Sequence, residues 1–210
     1  MDLLIVAKQP LPGRAKTRLI PAYGADGAAA LAAAALADTF AAAAACRADR
    51  VVVSFDGDPT GIVPAAFEVV PQVHGDLAVR LAGAWADAAG PGLQIGMDTP
   101  QLTAADLDGA FDALEVPGTD AVLGPAADGG WWAIGFHRCP PGVFAGIPTS
   151  RSDTGPRQLA RLRSLGLTTT LLPTVTDVDE PADAVTVAAA APGTRFAAAV
   201  RAHGRVGADR

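Results

Sequence analysis

Short β-branched runs that alternate with longer alanine- and leucine-rich stretches predict an α/β layer fold. Two further observations narrow it. At 210 residues and 21.1 kDa the chain is long enough for one domain with a sizeable core, whereas two would be cramped. No interdomain linker or internal repeat breaks it, so the expectation is a single domain over residues 1–210 with a flexible tail from about 204 to 210.

The elements follow in order. Strands are expected over Leu3 to Ala7, Val51 to Phe55, Phe67 to Val70, Leu93 to Met97, Ala121 to Leu123, Trp131 to Phe136 and Thr168 to Leu172. Helices are expected at about 24–46, 76–89, 103–114, 154–165, 181–190 and 194–203. The first is alanine-rich and so of high helix propensity. Thr103 is a good N-cap, with Asp106 placed three residues on to complete a capping box. Gly166 closes a helix before Leu167 starts a strand. Pro181 suits a first helical turn, where its missing N–H costs nothing.

One loop stands out by composition. Lys8 and Lys16 are the only lysines in the chain, beside fourteen arginines, and both lie in AKQPLPGRAKTRL after the first apolar run. With Arg14 and Arg18 this places four cations within eleven residues. A lysine ammonium is a compact point charge and a common phosphate ligand, so the loop points to a polyanionic small molecule such as a nucleotide, bound by its phosphates.

Acidic residues stand where strands should end: Asp98 after LQIGM, Asp128 in GPAADGGWW beside Gly129, and Asp177 and Asp179 in TDVDEP. In open α/β sheets, groups at the carboxyl ends of strands converge on one crevice. Carboxylate oxygens there suit Mg²⁺ (or Mn²⁺), which completes its shell with water and phosphates. Each aspartate also has an ordinary explanation: an Asx-turn at Asp98, a glycine turn at Asp128, a helix cap at Asp177 or Asp179.

Several functions are disfavoured. A formal net charge of −6 would repel an extended phosphate backbone, so nucleic acid is an unexpected partner. Cys46 and Cys139 have no zinc-ligand spacing and read as reduced, mostly buried thiols. The start MDLLIVAKQ lacks the basic lead and long apolar stretch of a signal peptide, and Asp38 and Thr39 interrupt the alanine-rich stretch as a membrane span. The expected compartment is the cytoplasm. GxGxxG after the first strand, GxxxxGK[ST], GxSxG and HExxH are all missing. His74, His137 and His203 share no ligand-like spacing. Trp131 and Trp132 fall in a strand, one ring to each face, with ligand stacking a secondary option.

AKQPLPGRAKTRL, HGDLAVRL, IGMDTPQLT, GPAADGGWWAIG and DVDEPAD together resemble, in this order, the DUF2064 family of glycosyltransferase-A-like proteins over about residues 3 to 185. That family includes arsenosugar biosynthesis glycosyltransferases and is similar to 2-phospho-L-lactate guanylyltransferase. The resemblance implies a three-layer α/β/α (Rossmann-like) nucleotide-diphosphosugar transferase domain with a mostly parallel sheet. It implies a phosphate loop with Gly13, Arg14, Lys16 and Arg18, a metal aspartate at Asp98 completed by Asp177 and Asp179, and a nucleotide-proximal segment with Gly75, Asp76 and Arg80. Lys8, Asp128 and Gly129 join the nucleotide-binding candidates; Lys16, Arg14 and Asp98 are the catalytic ones. The chain departs from the family in Trp131 and Trp132, where tyrosines are common, and in SRSDTG.

Three readings follow. A metal-dependent nucleotidylyltransferase, moving NMP from a nucleoside triphosphate to a small phosphorylated acceptor with pyrophosphate release, needs a dense cationic loop. A glycosyltransferase using a nucleotide-diphosphosugar needs it less. A nucleotide-binding module without turnover has less use for so many acidic groups.

Overall fold

A computed structural model describes residues 1–86, 88, 90–149 and 151–204. The expected tail beyond Gly204, and parts of the segment closing the 76–89 helix, lie outside the described residues. The strands are β1 (Asp2–Lys8), β2 (Arg50–Asp56), β3 (Glu68–Pro71), β4 (Gly92–Ile95), β5 (Ala121–Pro125), β6 (Trp131–Phe136) and β7 (Thr169–Leu171). The helices are α1 (Ile20–Ala45), α2 (Leu77–Ala86), α3 (Ala104–Glu115), α4 (Thr154–Ser164), α5 (Pro181–Ala190) and α6 (Arg195–Gly204). The expected elements therefore form.

The strands make one seven-stranded sheet in the order β3-β2-β1-β4-β6-β5-β7. β1 pairs in parallel with β2 and β4, β2 with β3, and β5 with β7; only β6 runs antiparallel, to both β4 and β5. The first connections wind outward through β2 and β3, and the chain then returns to the other side of β1. This reversal between β1 and β4 is the switch point at which an open α/β sheet leaves a crevice.

Alternation along the strands sorts side chains to the two faces. Leu3, Ile5 and Ala7 join a core with Leu36 of α1 and Leu107 and Phe111 of α3, while Leu4 packs with Leu81 and Trp85 of α2 and with Leu162 of α4. A third cluster, with Leu31, Val187 and Phe196, fixes α5 and α6 against the outer side of α1. Helices thus cover both faces, the three-layer arrangement. Trp131 and Trp132 obey the same alternation, Trp132 in the first core and Trp131 half-buried on the opposite face.

The punctuation read from sequence acts as expected. Thr103 and Asp106 form the capping box of α3, Pro181 opens α5, and Gly166 takes a left-handed φ of 77° after α4. One expectation changes. Thr17–Ala45 is long and apolar enough to cross a membrane, despite the polar pair within it. Here that pair turns inward: Thr39 donates to Ala35 O at 3.0 Å, and Asp38 accepts from the amides of Arg195 and Phe196 at 3.1 and 2.8 Å. Asp38 therefore caps α6 from the middle of α1, where its charge meets the positive end of that helix. Replacing it takes this acceptor from the half-buried amide of Arg195 and the buried amide of Phe196. Asp38→Ala should lower stability by about 2 kcal/mol in urea unfolding, mostly through loss of α6 docking.

Candidate active-site crevice

Apolar anchors hold the basic loop. Ala15 and Leu19 are fully buried, in different cores, and Lys16 lies between them with φ 47° and ψ 48°. A left-handed conformation is uncommon for a residue with a side chain and costs on the order of 1 kcal/mol. It turns the lysine under the sheet edge, where its side chain is only 10% exposed. The ammonium lies 2.7 Å from Asp98 Oδ1 and 3.0 Å from Asp179 Oδ1. Arg18 reaches the second oxygen of Asp179 at 3.3 Å and Glu180 at 3.8 Å. Burial favours the neutral amine of Lys16, but the two carboxylates outweigh it and hold its pKa above the ordinary value.

Backbone pairing brings the acidic segments together. The amide of Val178 donates to Asp98 O at 2.9 Å, and Val175 bridges to Ala126 in the β5–β6 hairpin. Val178 is buried, so its neighbours Asp177 and Asp179 face the other way, into the crevice. Neither caps α5: Glu180 is the N-cap and Asp183 completes the box, leaving the earlier pair free for other work.

Asp128, Asp177 and Asp179 each place a carboxylate oxygen within 4.8 Å of the others. Asp177 and Asp179 of the expected metal set are thus joined by Asp128, while Asp98, the third expected ligand, shares the Lys16 ammonium with Asp179. Three carboxylates this close suit a hard divalent cation. Burial raises the pKa of Asp177 to about 6, with the charges of Asp128 and Asp179 adding to the shift. Asp128 also keeps its ordinary role, accepting from Gly130 N at 2.7 Å.

The crevice has two compartments that share Lys8, Asp98 and Asp179. The first, about 310 Å³, is lined by Lys16, Arg18, Gln72 and Arg80. The second, about 420 Å³, is lined by Gln94, Asp128, Trp131, Phe144, Arg151 and Asp177 among others. Arg14 is exposed and lines an adjoining groove of about 230 Å³ with Lys8 and Arg80.

Other expected residues build the walls rather than line them. Gly13 makes a left-handed turn ahead of Arg14. Asp76 accepts from Val79 N at 2.9 Å and so starts α2, directly after Gly75 at φ 145°. Gly129 lets the hairpin lie against Ser152, where any Cβ would collide, and its carbonyl accepts from Gly155 N at 2.7 Å. Sequence reasoning missed Gln72, which donates to Ala7 O and Ser54 O and accepts from Arg80, thereby aiming that guanidinium. It also missed Gln94, a fully buried amide in an otherwise apolar strand, whose position in LQI was the available signal. Phe144 comes from an irregular segment without a motif, and Arg151 from SRSDTG, which the sequence marks only as a departure from the family. Cys46 and Cys139 are half-buried, and burial pushes Cys139 up to about 12, so it stays a protonated thiol at neutral pH.

Fold and crevice together define a glycosyltransferase-A-like domain. Residues 27–151 match the model of DUF2064, a family described as an uncharacterized protein conserved in bacteria, and the chain belongs to that family. No curated protein matches the sequence. Among solved structures, a protein from Desulfovibrio desulfuricans G20, provisionally named a nucleotide-diphospho-sugar transferase, superposes with a TM-score of 0.85 at 26% identity, covering 98% of this chain and 97% of that one. The manganese complex of Rv0371c from Mycobacterium tuberculosis H37Rv gives 0.52 at 21%, covering 89% and 97%. The 2-C-methyl-D-erythritol 4-phosphate cytidylyltransferase of Thermus thermophilus gives 0.54 at 15%, covering 91% and 98%. The last two share the fold.

The raised pKa of Asp177 has a consequence for stability. A carboxyl whose folded pKa exceeds its unfolded value of 3.8 destabilises the fold as pH rises from about 4 to 6, and above 6 the penalty is constant. In metal-free protein, Asp177→Asn should therefore be stabilising at pH 7.5, by about 1 kcal/mol once solvent screening is allowed for, and neutral near pH 4. Thermal unfolding at both pH values in EDTA measures this; an equal effect at both would remove the electrostatic cause.

Proposed function

We propose that this chain is a divalent-metal-dependent transferase that binds a nucleoside triphosphate by its phosphates and moves the nucleotidyl group to a small acceptor, releasing pyrophosphate. The observation that carries the reading is the division of charge in one crevice. Lys8, Lys16, Arg18 and Arg80 line its first compartment, and the Asp128, Asp177 and Asp179 cluster lies beside it. Lys16 and Arg18 are at present balanced by Asp98, Asp179 and Glu180, so phosphate oxygens would compete with carboxylates for them. Once drawn onto the phosphates, these cations would stabilise charge on the departing pyrophosphate. Asp128, Asp177 and Asp179 would hold Mg²⁺ or Mn²⁺, which supplies further positive charge to phosphate oxygens when bound. The chain acts as one domain, since both compartments draw on segments from β1 to the loop before α5. Cytoplasmic action fits its two free thiols.

A second reading, sugar transfer from a nucleotide-diphosphosugar, is favoured by the name of the Desulfovibrio protein and by the aromatic wall of the second compartment. The reactions differ in product. With a mixed pool of acceptors, the four nucleoside triphosphates should yield pyrophosphate; nucleoside diphosphate released from nucleotide-sugars, without pyrophosphate, would select sugar transfer. Neither product, with nucleotide still bound, would leave a binding module.

Lys16→Ala should weaken binding of the magnesium–triphosphate complex by about 1 to 3 kcal/mol, the scale of a charge-assisted hydrogen bond. Asp179→Asn should abolish turnover while the protein stays folded. Calorimetry with the best of the four triphosphates reads the first, and unchanged affinity would remove Lys16 from the phosphate site.

A further inference from the structure

The two compartments differ in a way that bears on the acceptor. Nearly all the crevice's cations line the first. Among the described residues the wall of the second adds only Arg151 to the shared Lys8, and Arg151 is exposed and paired through Nε with Asp153 at 3.0 Å, while Asp98 and Asp179 are already paired with Lys16 and Arg18 of the first. A phosphate monoester entering here would find no set of cations of the kind that lines the first compartment, also when a divalent ion offsets the carboxylates of Asp128, Asp177 and Asp179.

The remaining surface suits an apolar ring. Trp131 stacks on Phe144, ring centroids 6.2 Å apart and planes inclined by 22°, and Leu77 and Leu81 of α2 also line the compartment. An indole backed in this way is held in one orientation and presents a flat, electron-rich face. Gln94 adds a polar requirement. Its amide nitrogen donates to Leu81 O at 3.1 Å, which fixes the orientation of the amide, and its oxygen is buried without a hydrogen-bond partner. Such an oxygen needs a donor and disfavours an anion.

We propose that the second compartment takes an unphosphorylated acceptor: a neutral, hydroxyl-bearing ring whose apolar face lies on Trp131 and whose hydroxyls include a donor to Gln94. The inference rests on the assignment of the nucleotide phosphates to the first compartment. In the transfer, the acceptor hydroxyl oxygen bonds to the α-phosphorus, the bond from that phosphorus to the bridging oxygen breaks, pyrophosphate leaves, and the hydroxyl proton passes to solvent. Trp131 and Gln94 select the acceptor and take no part in these bond changes.

The test uses full-length protein loaded with Mg²⁺ and a non-hydrolysable nucleoside triphosphate. Unphosphorylated pyranosides such as methyl glucoside, and arylalkanols such as 2-phenylethanol, are titrated against their phosphate monoesters by calorimetry; the two sets separate a sugar face from an aromatic one. At least one neutral ring should bind about tenfold more tightly than its phosphate. Trp131→Ala should weaken that binding about tenfold, Trp131→Phe should restore most of it, and nucleotide affinity should stay as in the unaltered protein. Gln94→Leu, which removes the buried oxygen at similar volume, should reduce acceptor affinity without lowering the unfolding midpoint. Tighter binding of the phosphate monoesters, binding of neither set, or an unaffected Trp131→Ala variant would each overturn the proposal. Absence of nucleotide binding in the unaltered protein would instead overturn the phosphate-site reading beneath it.

Discussion

The crevice depends on one ion-pair cluster, the Lys16 ammonium between Asp98 and Asp179. Moving a lysine this far from water costs several kcal/mol, and only close opposite charges offset it. The raised pKa of Lys16 indicates that they do. A buried pair of this kind adds little net stability, but it fixes geometry. Here it ties the loop after β1 to the end of β4 and to the segment before α5, three pieces far apart in sequence. Without the ammonium, Asp98 and Asp179 would face one another with the rest of the acidic cluster and no buried counter-charge.

Apolar anchoring makes that polar geometry possible. Each charged segment alternates with a residue committed to a core: Ala15 and Leu19 around Lys16, Met97 before Asp98, Val178 between Asp177 and Asp179. The spacing dictates which way the polar side chains point, because their neighbours cannot leave the interior without losing the whole gain from burial. Backbone bonds then set the distances between segments. Val178 N to Asp98 O and Ala127 N to Val175 O stitch the last acidic run to β4 and to the hairpin.

Much of this was legible in the sequence. The strands and helices were, because apolar periodicity and caps such as Thr103 and Pro181 are local signals. Lys8 and Lys16 were, because the chain uses arginine everywhere else, and both do line the crevice. Sheet order and the reversed direction of β6 were not, since they depend on which strands pair rather than on any stretch of residues. The same limit hid the proximity of Asp128 to Asp177, which arises because antiparallel β6 folds the hairpin back onto the edge that carries Asp98. Asp76, which the family resemblance sets near the nucleotide, also caps α2; local capping and ligand contact ask for the same side chain and differ only in what lies opposite.

The electrostatics of the cluster are uneven, and the unevenness points to where a further cation belongs. Lys16 and Arg18 both contact Asp179, and Lys16 also contacts Asp98, so the protein's own charges neutralise that side of the crevice. Asp177 gains little from this: among the influences on its pKa the charge of Lys16 is the weakest, while burial and the charges of Asp128 and Asp179 raise it to about 6. At neutral pH most of it is nonetheless ionised, against that repulsion. A divalent ion held by Asp128, Asp177 and Asp179 would relieve the residual repulsion, and it would do so at the seam between the cationic compartment and the aromatic one. Such an ion would lie where the two compartments share Asp179, so the same carboxylates that repel one another without it would place positive charge beside the cationic compartment.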